Sequence, residues 1–117
     1  MDATSFELNV SVPRDSRYLG TLRDLAVHAA RYAGCRGADA DRFGEAVAAI
    51  AQALLSGGPD ESLPVIVRRA DGPLEVLMAA EREFDAAVAR DAHITIGWTR
   101  EAGRTMCRVA RSMPAET

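Results

Sequence analysis

Phe6, Leu8, Val10 and Val12 alternate with polar or small residues, the two-residue period of a strand with one buried face, and Pro13 closes the run. The period then becomes helical. Leu19, Leu22, Ala26, Ala29 and Ala33 recur at helical spacing, with Asp15 or Ser16 placed to cap the start and Gly34 placed to stop the helix. Its polar face carries Arg17, Arg23, Asp24 and Arg31, read as a solvated surface. CRGADAD is a connection whose Asp39 or Asp41 caps a second helix, in which Phe43, Val47, Ile50 and Leu54 fall on one face among many alanines. Gly57, Gly58 and Pro59 end it.

Two further alternating runs, Leu63, Val65, Val67 and Leu74, Val76, Met78, flank Asp71-Gly72, a hairpin signal because both central residues of a type I′ turn take positive φ. EREFDAAVARDA reads as a loop or short helix that turns Phe84 and Val88 inward. HITIGW and TMCRVA form a second hairpin, with Ile94, Ile96 and Trp98 on one strand face. The order β-α-α-β-β-(α)-β-β predicts an α+β two-layer sandwich: a mixed or antiparallel sheet of about five strands with two main helices on one face.

At 117 residues the chain is expected to be one domain, residues 1–117. Its formal net charge of -3, with arginine as its only strongly basic residue, argues against a nucleic-acid or anionic-membrane surface. Cys35 and Cys107 lack metal-ligand spacing and read as free thiols of a reducing cytosol. MDATSFELNV is no basic-then-apolar leader, and no later run approaches a membrane span, so a soluble cytoplasmic protein is expected.

The succession FELNVSVPRDSRYLGTLRDLAVHAARYAG, DADRFGEAVAAIAQALL and PVIVRRADGPLEVLMA resembles the anti-sigma-factor serine kinases of the histidine-kinase-like ATPase superfamily, the Bergerat fold. The likeness covers about residues 6 to 85 and resumes for the last two strands, resting on element order, spacing and hydrophobic pattern. It implies a degenerate domain of that fold, with the lid and the glycine-rich boxes reduced. In the family the second helix carries a glutamate general base and, four residues on, an asparagine that helps hold magnesium against the triphosphate. Those positions correspond to Ala49 and Ala53, and a methyl group does neither job. A shifted register puts Glu45 at the base but Ala49 at the magnesium position, while Gln52 lies about 100° round the helix from where the amide belongs. At the adenine box Ala79 replaces the aspartate, and Glu81 and Glu83 replace glycines, adding bulk and negative charge where phosphates would lie. Phe84 and Asp85 stand as a remnant of the family segment next in chain order. Only the glycine-free stretch Ala86 to Ala92 remains for the lid once a connecting loop is allowed for.

These replacements imply no catalytic residues, no metal site and no ATP or magnesium cofactor. The expected role is a non-catalytic protein-binding regulator resembling the anti-sigma factors of bacterial partner-switching pathways. A sigma factor or an antagonist domain is the implied partner. Arg17, Arg23, Arg31, Arg100 and Arg104 are its candidate contacts, and the small-faced second helix invites self-association. The alternative is a divergent ATP- and magnesium-dependent anti-sigma-factor serine/threonine kinase using Glu45 as base. A third reading places an apolar cavity near Val47, Ile50, Ala53 and Val76, where an unrelated ligand would sit.

His28 and His93 have no local carboxylate or cysteine partner, and the serines lack a nucleophile elbow. Trp98, Met78, Met106 and Met113 fit core packing better than a partner surface. Arg100, Arg104, Arg108 and Arg111 make the last hairpin basic, either to meet an acidic partner or to screen an exposed edge strand.

Overall fold

A computed structural model describes residues 5–57, 62–69, 72–80, 93–101 and 103–112. Five strands, β1 (Phe6–Pro13), β2 (Ser62–Arg69), β3 (Leu74–Ala80), β4 (Ile94–Glu101) and β5 (Arg104–Arg111), form one antiparallel sheet in the order β1-β2-β3-β5-β4. Two helices, α1 (Leu19–Tyr32) and α2 (Ala38–Gly57), complete the α+β architecture. Of the mixed and antiparallel sheets left open by the sequence, the antiparallel one is observed. EREFDAAVARDA lies outside the described residues, as do Met113 and Asp71.

Strand alternation divides the sheet into two faces. Val12, Leu63, Val65, Val67, Val76, Met78, Cys107 and Val109 are buried on the face towards the helices, as the alternating runs predict. Two long side chains at the ends of this face identify it. Arg69 donates from Nη1 to the Ala33 carbonyl at the end of α1, and Arg111 reaches Asp39 of α2 at 3.3 Å. The other face also buries Leu77, Ala79, Met106 and Ala110, so central β3 is enclosed on both sides. Met78 and Met106 are thereby core residues and not contact surface.

Asp15 does cap the chain's first helical turn, accepting from the Arg17 N–H, but that turn, Ser16–Tyr18, is a 3-10 helix leading into α1. At the other end Gly34 takes φ 112°, and the N–H groups of Gly34 and Cys35 return to the carbonyls of Arg31 and Ala30. That is a Schellman closure, and it explains why a glycine ends the helix there. Helix α2 begins earlier than expected: Gly37 at φ 53° precedes it, and Asp39 and Asp41 lie in its first turn. There they complement the positive helix end without being its cap.

The β2–β3 register pairs Arg68 with Glu75, and Gly72 does not take the positive φ that a type I′ turn at Asp71-Gly72 requires. The last hairpin is tighter than expected, since Glu101 pairs with Arg104 across Ala102 and Gly103, and Gly103 takes φ 78°. Its second strand, β5, runs inside the sheet, and β4 forms the edge. Of the four hairpin arginines only Arg100 therefore lies on the edge strand.

The two helices meet through small residues. A Cβ at Gly44 would overlap Val27 Cγ2 and stand 3.1 Å from the Arg23 carbonyl oxygen, so α2 approaches the α1 backbone as closely as a glycine permits. Ala40 and Ala51, both fully buried, lie on the same helical stripe. The alanine-lined face expected to invite a second copy is thus occupied by α1. Gly20 is the useful contrast, being exposed with nothing within 4 Å of its Cβ position.

Gly44→Ala gains about 1 kcal/mol of helix propensity against an overpacking cost of about 1–3 kcal/mol. A net loss of about 1 kcal/mol is expected, a fall in Tm of about 4–8 °C. Gly20→Ala should instead raise stability by a few tenths to about 1 kcal/mol. Equal effects in thermal unfolding would show that the α1–α2 approach sets no limit.

Candidate functional site

The residues singled out by sequence do not gather at one place. Ala49 and Ala53 are exposed on α2, whereas Ala79 is buried on the sheet face away from the helices. Glu45 is occupied: its Oε2 accepts from Arg23 Nε at 2.6 Å, tying α2 to α1. Glu81, Glu83, Phe84, Asp85 and the stretch from Ala86 to Ala92 lie outside the described residues. Val47, Ile50 and Val76 are packed in the core, and Ala53 is exposed on α2.

The predicted contact arginines fall into two groups. Arg17 pairs with Asp15 at 2.8 Å, Arg23 with Glu45, and Arg31 with Asp41 at 3.6 Å. These pairs are solvent-exposed and individually weak, but the last two link α1 to α2. Arg100 and Arg104 lie elsewhere, exposed at the β4–β5 turn. With Arg14 they border a concavity of about 330 Å³ at the end of β3, lined also by Ala79, Ala80, Gly103 and Thr105. Arg14 Nη1 donates to the Leu54 carbonyl in the last turns of α2, while its Nε is buried with no hydrogen-bond partner. Arg100 donates to the Gly103 carbonyl at 3.1 Å and to Thr105 Oγ1 at 3.4 Å. Sequence reasoning named Arg100 and Arg104 but missed Arg14, which stands 86 residues before Arg100 and carries no local motif.

On the face away from the helices four charges interlock. Glu75 accepts from Arg68 at 2.8 Å and from Arg108, and Arg68 also reaches Glu101 at 3.1 Å. The Glu75 side chain is only 15% exposed. Burial opposes its ionisation, but the Arg68 and Arg108 guanidiniums outweigh that cost and hold its carboxyl below the ordinary 4.5. Beside this network a groove of about 420 Å³ runs past Asn9, Ser11, Pro64, Ile66 and Met106. Arg108 is therefore neither an edge screen nor a free contact, and neither is Arg111, whose buried side chain holds Asp39 and the Cys35 thiol, the latter at 3.1 Å.

Both cysteines are free and buried, and burial pushes the Cys107 thiol up to about 11. His28 and His93 are exposed. Among the described residues no three His, Cys, Asp or Glu side chains cluster as metal ligands, and no helix is long and apolar enough to cross a membrane. No protein-family model matches the chain, and no curated protein matches it.

The Glu75 network makes stability depend on acid. Because the native carboxyl is the more acidic state, its contribution is complete above the ordinary value of 4.5 and is lost as pH falls through the lower native value. Glu75→Gln is expected to cost about 1–3 kcal/mol at pH 7 and to flatten the decline in stability below pH ~4.5. Denaturant unfolding from pH 7 to 3 checks this. Parallel curves for the two proteins would remove Glu75 from the acid response.

Proposed function

We propose that this chain is a non-catalytic protein-binding regulator, a degenerate relative of the anti-sigma factors of bacterial partner-switching pathways. The observation that carries the reading is the state of α2. Ala49 and Ala53 present exposed methyl groups, and the carboxylate of Glu45 one turn away is engaged by Arg23 at 2.6 Å. Proton abstraction needs a carboxylate free to face a substrate hydroxyl, and magnesium needs hard oxygen ligands. The helix offers neither at those positions. The element order, with two helices on one face of a five-stranded sheet, is compatible with the histidine-kinase-like ATPase architecture.

A domain of this kind acts through its surface, by sequestering or scaffolding a sigma factor or an antagonist domain. The arginines at the β4–β5 turn and Arg17 and Arg31 on the helical side offer cations to an acidic partner. Self-association would use the exposed Ala49 and Ala53 side of α2, since its buried small stripe is taken by α1. The kinase alternative requires Glu45 to leave Arg23, and the exposed side of the helix supplies no amide at Ala49 to complete the site.

The reading predicts no magnesium-dependent stabilisation by ATP. A nucleotide at 100 times its Kd would add ~2.7 kcal/mol, a shift on the order of 10 °C. Thermal unfolding with ATP plus magnesium should match unfolding with ATP plus chelator. A shift of that size appearing only with magnesium would restore the kinase.

A further inference from the structure

We propose that the concavity between Arg14, Arg100 and Arg104 binds a phosphate monoester, independently of magnesium and of the vacated positions on α2. Several arginines elsewhere in the described structure rest on carboxylates, Arg23 on Glu45, Arg68 and Arg108 on Glu75, and Arg111 on Asp39, while Arg69 donates to the Ala33 carbonyl. None of the three around this concavity does so among the described residues. Arg14 and Arg100 donate instead to neutral acceptors, the carbonyls of Leu54 and Gly103 and the Thr105 hydroxyl, and the buried Arg14 Nε has no acceptor at all. Glu101, the register partner of Arg104, is drawn away to Arg68.

Three like charges around one concavity repel one another, and an anion between them turns that repulsion into attraction. The charge number selects the ligand class. A carboxylate offers one negative charge and a planar pair of oxygens that a single guanidinium fork satisfies. A phosphate ester carries nearly two charges and three terminal oxygens, so it can accept from more than one guanidinium at once. Thr105 Oγ1 accepts from Arg100, which leaves its own hydrogen for a further oxygen. The volume of about 330 Å³ exceeds what a bare phosphate fills, leaving room for the esterified group.

The test is calorimetric titration of the whole chain with inorganic phosphate, in chelator and at ionic strength fixed with sodium chloride. Saturable binding is expected, weakened about tenfold or more in R100Q/R104Q, the loss of charge-assisted hydrogen bonds. Both substituted side chains are exposed at a turn, and unchanged circular dichroism would confirm that the variant folds. Arg14 is left intact because it also closes α2. Competition by a phosphoserine peptide or by a sugar phosphate supports the site and identifies which ester it prefers. Absence of saturable binding, or equal affinity in wild type and R100Q/R104Q, would overturn the proposal.

Discussion

The close approach of α2 to α1 at Gly44 is the constraint on which the remaining structure depends. With no side chain there, Val27 and the backbone at Arg23 fill the space, and the two helices become one slab. That slab then shares a single core with the sheet, in which Phe43, Leu22 and Ile50 are almost wholly buried beside Val65, Val76 and Val109. Three arginines from strands or strand ends hold the slab at its margins. Arg69 takes the Ala33 carbonyl at the end of α1, Arg14 takes the Leu54 carbonyl near the end of α2, and Arg111 takes Asp39 and Cys35 at the connection between them. Each meets a polar group that helix geometry leaves without an intrahelical partner, or a charge at a helix start.

The same packing explains what each face can do. The buried side of α2 is spent on α1 and the sheet, so only Glu45, Ala49, Gln52 and Ala53 among its central residues face outward. Glu45 is bound to Arg23, and the two alanines bring no polar group. On the proposed reading this side of the helix serves as a contact surface and not in phosphoryl transfer. Among the described residues, Arg14, Arg100 and Arg104 make no carboxylate pair and border one concavity at the end of β3, near the β4–β5 turn and the residue after β1.

Local features were legible in the sequence because their causes are local. The alternating runs and the Schellman glycine at Gly34 arise from backbone preference and burial period, whereas the type I′ turn expected at Asp71-Gly72 is not matched by Gly72, which lacks positive φ. What escaped was non-local. Nothing in the pattern of two successive hairpins says that β5 lies beside β3 and leaves β4 at the edge, and that inversion decides the fate of Arg108 and Arg111. Leu77 and Ala79 break the expected alternation because a central strand is covered on both sides. Arg14, Arg100 and Arg104 meet only after the sheet has formed, so no spacing announces them. The buried small stripe of α2 was visible, but its occupant is a helix of the same chain.

Backbone amide NMR under ATP, with magnesium and then with chelator, tests the central claim most directly. A non-catalytic domain with a separate arginine site predicts shifts at Arg100, Gly103, Arg104 and Thr105 in both conditions, while Glu45 to Ala53 on α2 stay unmoved. Shifts running along Glu45, Ala49 and Ala53 that require magnesium would contradict it and place nucleotide chemistry back on the helix.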